Sequence, residues 1–282
     1  MYFTRTDSLK FFIYTILFLL LFFGYNKASG PYFETTYDSA SIMNQEIPLT
    51  EVFPEKNDDI PKEKVAKKNI PRRIVKKEPL TIAFNPDYIQ VDSNIIAHLK
   101  DVIHSPYFQS KVTPLNLVLD TERREPRGQV MGNKLILSTE ISGDSEQLKV
   151  FVHELGHIVD IFYLKTGFFA DPSDIFYEFS WESFNTKKKG QKIVNFVSGY
   201  ALSNKYEDFA ESFAFYVFHN EDFQKGAQKD AILRKKYDFF SSYVFEKDAF
   251  VGTSFAIDKL RPYNWDTTKI QIDTKKYLYY IK

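Results

Sequence analysis

The residue types and spacing most suited to chemistry lie in one short stretch, His153-Glu154-Leu155-Gly156-His157. On a helix, residues i and i+4 stand one above the other, so two imidazoles at this spacing can grip a single ion. Glu154 sits beside them, placed to take a proton from an attacking water, and the chemistry this pattern suggests is metal-assisted hydrolysis. Leu148, Phe151, Val152, Leu155, Ile158, Val159 and Phe162 form an apolar stripe, while His153, His157 and Asp160 fall on a different one. The His pair is therefore not simply filling a core.

Catalytic zinc usually takes three protein ligands and keeps a fourth position open. No third His follows His157 at short spacing, and the next candidates lie in Tyr206-Glu207-Asp208-Phe209-Ala210-Glu211. Asn204 can cap a helix here, with Phe209, Phe213 and Val217 on its buried side. Glu207 and Glu211 are spaced i, i+4 and share a face. One carboxylate can ligate the metal, and the other can accept the second ring N–H of a ligand His and fix its tautomer. Asp160, one turn past His157, can orient a ligand or serve as a surface cap or pair. His98, His104 and His219 read as structural or exposed, with His219 a minor outer candidate. Trp181 and Phe184, between the two helices, are candidates to line a cleft.

The elements that must position these residues follow from periodicity. Asp144 with Gln147 three residues on marks the start of the helix carrying the His pair, which is expected to run to about Lys165 and stop at Gly167. Residues 91–104 carry apolar side chains at helical spacing. Leu115 to Leu119 reads as a strand, and the runs flanking Gly132-Asn133 read as a hairpin. The expected class is α+β, mostly helical with a small mixed sheet.

Composition narrows the chemistry. Lys+Arg and Asp+Glu both number 37 in 282 residues, which gives no support for nucleic acid as a partner. The chain has no cysteine, which removes disulfides, thiolate metal sites and cysteine nucleophiles together. Any metal must be held by His, Asp or Glu, and there are five histidines. Arg5 and Lys10 precede the uncharged run Phe11 to Phe23, so residues 1–30 read as a signal peptide or N-terminal membrane anchor. Residues 31–79 are punctuated by prolines, and Lys62 to Lys77 carries eight basic residues and one acidic one. This stretch reads as a solvated linker, a basic strip against anionic lipid or wall polymer, or a propeptide. Residues 80–282 form the expected catalytic domain, on the outer side of a cytoplasmic membrane or secreted.

The run HELGH followed by SGYALSNKYEDFAESFAFYV resembles the zinc peptidase domain of the anthrax lethal factor type, a group that includes the secreted Pro-Pro endopeptidases. The resemblance spans about 150–243. It implies a zincin-like fold, one Zn²⁺ per chain on His153, His157 and Glu207, and Glu211 in the outer shell. It also implies Glu154 as general base and Tyr200, seven residues before Glu207, as the donor to the developing oxyanion. A protein or peptide substrate is implied, and the hairpin around 128–138 is placed by chain order to pair with it as an added strand. The competing expectation is a catalytically inactive, zinc-holding binding module at the cell surface.

Overall fold

A computed structural model describes residues 81–84 and 93–282, apart from 113–114, 121, 124, 133, 142, 166–170, 247 and 262. The described residues belong to one compact unit. The N-terminal apolar run, the proline-punctuated tether and the expected domain start at Leu80 lie outside them. Among the described residues no helix is long and apolar enough to cross a membrane.

The chain is mostly helical with a small mixed sheet, an α+β arrangement. The strands are β1 (Thr81–Phe84), β2 (Asn116–Asp120), β3 (Gly128–Met131) and β4 (Lys134–Ser138), in the order β1-β2-β4-β3. β1 and β4 both run parallel to β2, while β3 runs antiparallel to β4. Gly132 makes the β3–β4 hairpin turn with φ +60, a conformation that costs glycine nothing. β4 lies between two strands and buries four residues in a row, Leu135 to Ser138. Among the described residues β3 is the outermost strand at its edge of the sheet.

Helices α1 (Ser93–His104) and α2 (Gln109–Val112) precede β2. The sheet leads into α3 (Asp144–Ile158), whose first turn carries Asp144 and Glu146 beside the positive end of the helix dipole. Gly143 occupies the cap position expected of Asp144, which lies one residue further in. Expected to continue to about Lys165, the helix instead widens into a π turn over Val159–Tyr163. The wider turn slips the side chains around the axis, and Phe162, expected in the apolar stripe, is 37% exposed while Asp160 is buried.

After α4 (Pro172–Ser180) comes α5 (Lys205–Phe218), begun by Asn204, whose Oδ1 accepts the amides of Tyr206 at 2.9 Å and Glu207 at 3.1 Å. Then α6 (Asn220–Lys229), α7 (Ala231–Phe239) and α8 (Thr274–Ile281) complete the chain. The core is aromatic. Phe245 stacks on Phe213 with centroids 5.4 Å apart and on Tyr216 at 5.1 Å, and Phe209 packs edge-on to Phe176 at 5.0 Å.

Candidate metal centre

Helices α3 and α5 pack against each other, and their closest approach explains the glycine in the middle of the His pair. A Cβ on Gly156 would lie 3.0 Å from the Ala210 Cα and 3.2 Å from the Phe213 ring. A hydrogen at this position lets the two backbones come close enough for their polar side chains to meet. His153 Nε2 lies 3.1 Å from Glu207 Oε2, and His157 Nε2 lies 3.5 Å from the same oxygen. The three ligand atoms are all within 4.8 Å of one another. Tetrahedral zinc with arms of about 2.1 Å separates its ligand atoms by about 3.4 Å. The donor set and its spacing therefore fit one zinc ion.

The electrostatics point the same way. Burial disfavours charge on His153, but hydrogen bonds to Glu207 and Glu211 outweigh it and raise the pKa well above the usual imidazole value. His157 is raised for the same reason, against burial, by Glu207. Burial likewise disfavours charge on Glu207, and the two imidazoles reverse that and hold its carboxyl well below the ordinary range. Protons on the imidazoles thus supply positive charge that a bound cation would otherwise provide.

Behind His153 stands a second layer. Its Nδ1 lies 3.1 Å from Glu211 Oε1. Glu211 Oε2 accepts three bonds: from Ser198 Oγ at 2.6 Å, Thr267 Oγ1 at 2.9 Å and the Thr267 amide at 3.2 Å. Lys149, one turn before His153 and 1% exposed, donates to the Thr267 carbonyl at 2.9 Å. Arg127 donates to Glu146 at 2.6 Å, to Thr268 at 2.9 Å and to Asp266.

Glu154 is buried, and burial raises its pKa while the two imidazoles oppose the rise. A Cβ on Gly128, the first residue of β3, would fall 2.5 Å from Glu154 Oε1 and 2.7 Å from its carboxyl carbon. The strand backbone therefore lies directly on the general-base candidate. The Tyr200 ring lies 6.0 Å from that of His153. Burial, followed by Glu207, Glu154 and Glu211, raises the phenol far above its usual pKa, so it remains a proton donor. Two backbone bonds secure this segment, Gly199 N to Asn264 O at 3.0 Å and Tyr200 N to Trp265 O at 2.6 Å.

The structure brings together His153, Glu154, His157, Tyr200, Glu207 and Glu211. Asp160 stands apart: its Oδ2 accepts the Tyr177 hydroxyl, its Oδ1 has no partner, and it makes no hydrogen bond to His157. Burial pushes Asp160 up to about 6. His219 ends α5, buried, with neither ring nitrogen hydrogen-bonded, and burial lowers it to about 3. Trp181 does not line a cleft. It is 3% exposed and donates its indole N–H to Asp208 at 2.9 Å. Sequence reasoning missed Thr267, Lys149 and Arg127, which carry no motif, and Ser198, which opens the run SGYALSNKYEDFAESFAFYV but was given no role. It treated Gly128 as part of a hairpin without seeing its approach to Glu154. Comparison with models of known protein families, with curated proteins and with solved structures returns no match for this chain.

Proposed function

We propose that this chain is a zinc-dependent endopeptidase of the zincin kind that hydrolyses extended peptide segments. The observation that carries the reading is the convergence of His153, His157 and Glu207 on one point beside the buried carboxyl of Glu154. Zinc held by those three side chains supplies Lewis-acid polarisation and acidifies water. Glu154, with its pKa raised by burial, accepts the proton of the attacking water and returns it to the leaving amine. Tyr200 stays protonated and donates to the oxygen on which negative charge develops. Glu211 holds the ring of His153 through Nδ1.

The outermost strand β3 supports an extended substrate, because it offers an edge for strand addition beside Glu154. The uncharged run Phe11 to Phe23 and the basic tether support action outside the cytoplasmic membrane, with the tether available for contact with anionic surfaces.

The test pairs zinc analysis with cleavage of a diverse peptide library by the full chain and by Glu154→Gln. One zinc per chain and cleavage are expected, with kcat falling by roughly 10²–10⁴ in Glu154→Gln while zinc is retained. Failure to bind zinc would reject the reading. Zinc binding with no cleavage of any peptide would replace it with a zinc-holding binding module.

A further inference from the structure

We infer that Thr267 is a positioning residue for this metal centre: it fixes the Glu211 carboxylate, and through it the ring of His153. The inference rests on the peptidase reading above and adds a component 56 residues beyond Glu211.

The argument begins with how a carboxylate is held. Glu211 can orient His153 only if its own torsions are fixed, and a side chain with three rotatable bonds is fixed by what it accepts. Oε2 takes three donors, two of them from Thr267, which leaves Oε1 directed at His153 Nδ1. Thr267 contributes both its hydroxyl and its amide, so it grips the oxygen from two directions.

Thr267 is itself anchored independently of α5. Its carbonyl accepts from Lys149 Nζ, four residues before His153 on the same helix. Asp266 caps the short turn Thr267–Lys269 by accepting the Thr268 amide at 2.8 Å. Arg127 ties Asp266 and Thr268 to Glu146 on α3, and Lys269 reaches the same Glu146. The segment is thus fastened to the helix that carries the His pair, while its carbonyls at Asn264 and Trp265 hold the backbone of Tyr200. Both Thr267 donors thus fall on Oε2, the oxygen of the Glu211 carboxylate opposite the one that faces His153.

The experiment uses the full chain and reads zinc affinity by competition with a chromophoric chelator. Thr267→Val keeps the shape and the amide but removes the hydroxyl. The zinc Kd is expected to rise roughly 10–100-fold, with Thr267→Ser close to wild type. Thr253→Val is the control for a purely structural hydroxyl, since among the described residues Thr253 Oγ1 bonds only the Phe250 carbonyl, at 2.7 Å. A second readout needs no variant: zinc should slow hydrogen exchange at the Thr267 amide of the wild type more than at the Thr253 amide, because coupling between sites is reciprocal. If Thr267→Val binds zinc as tightly as Thr253→Val, or if zinc leaves Thr267 exchange unchanged, the positioning role is overturned and the peptidase reading stands. If the wild type binds no zinc, both fall.

Discussion

Glu207 and Asp208 are neighbours in the first turn of α5, both acidic and both buried, yet they meet opposite surroundings. Asp208 is saturated by permanent donors. Lys236 Nζ reaches its two oxygens at 2.8 and 2.7 Å, Trp181 donates at 2.9 Å and Ser212 at 3.4 Å. Lys236 in turn bonds the Asn195 carbonyl at 3.0 Å and lies 4.0 Å from the Phe196 ring centroid. Burial raises Asp208 and lowers Lys236, and the pairing opposes both shifts. Glu207 faces two imidazoles, groups whose charge depends on bound protons. A buried carboxylate matched by fixed donors closes a structure. One matched only by imidazoles leaves room for a cation to replace the protons.

The sharpest way to break this contrast is to remove one partner on each side. Lys236→Met strands the Asp208 charge and should destabilise the metal-free protein by about 3–5 kcal/mol in urea unfolding. Glu207→Gln should cost metal-free stability less than Lys236→Met, because its imidazole partners can release their protons, while weakening zinc binding more than about 100-fold, beyond the usual cost of an outer-layer change. Equal unfolding effects from the two variants would erase the distinction.

Smaller effects sharpen it. Gly128→Ala pushes a methyl into Glu154 and should lower kcat by about 100-fold, the cost expected of a misplacement near 1 Å. Zinc affinity should be unchanged, which separation of kcat from metal titration would show.

The smallest effect concerns the other buried lysine. Burial brings Lys149 down to about 7, against roughly 10.4 for an unfolded lysine, so between those values the unfolded chain binds the extra proton. The resulting stabilisation is complete above about 10.4 and is lost as pH falls through about 7. Relative to Lys149→Met, the wild type should therefore gain about 1 kcal/mol between pH 7 and pH 8. A flat difference would show that Lys149 stays charged as it would in water.

What could be read from the sequence was periodic or local. The HExxH spacing, the Asn204 cap, the shared face of Glu207 and Glu211 and the β3–β4 hairpin all depend on offsets of a few residues, where helix and strand geometry dictate neighbours. The rest depends on contacts across long separations. Glu211 and Thr267 are 56 residues apart, and Arg127 and Thr268 are 141. No periodicity encodes such partners. Phe162 was misplaced because an α-helical wheel does not anticipate a π turn, and Trp181 because an aromatic in an insert reads the same whether it faces a cleft or donates to a buried aspartate. Asp160 had the right offset from His157, but it lies in the π turn, where its Oδ2 accepts from Tyr177.

The dependence of Glu211 on Thr267 also imposes an order on assembly. A chain emerging N-terminus first presents both helices, with their histidines and glutamates, well before Thr267 arrives. Until that last stretch folds back onto α3, the carboxylate behind His153 lacks two of its three donors on Oε2. The proposed metal centre gains its outer support only once the segment carrying Thr267 has been made and has folded back onto α3.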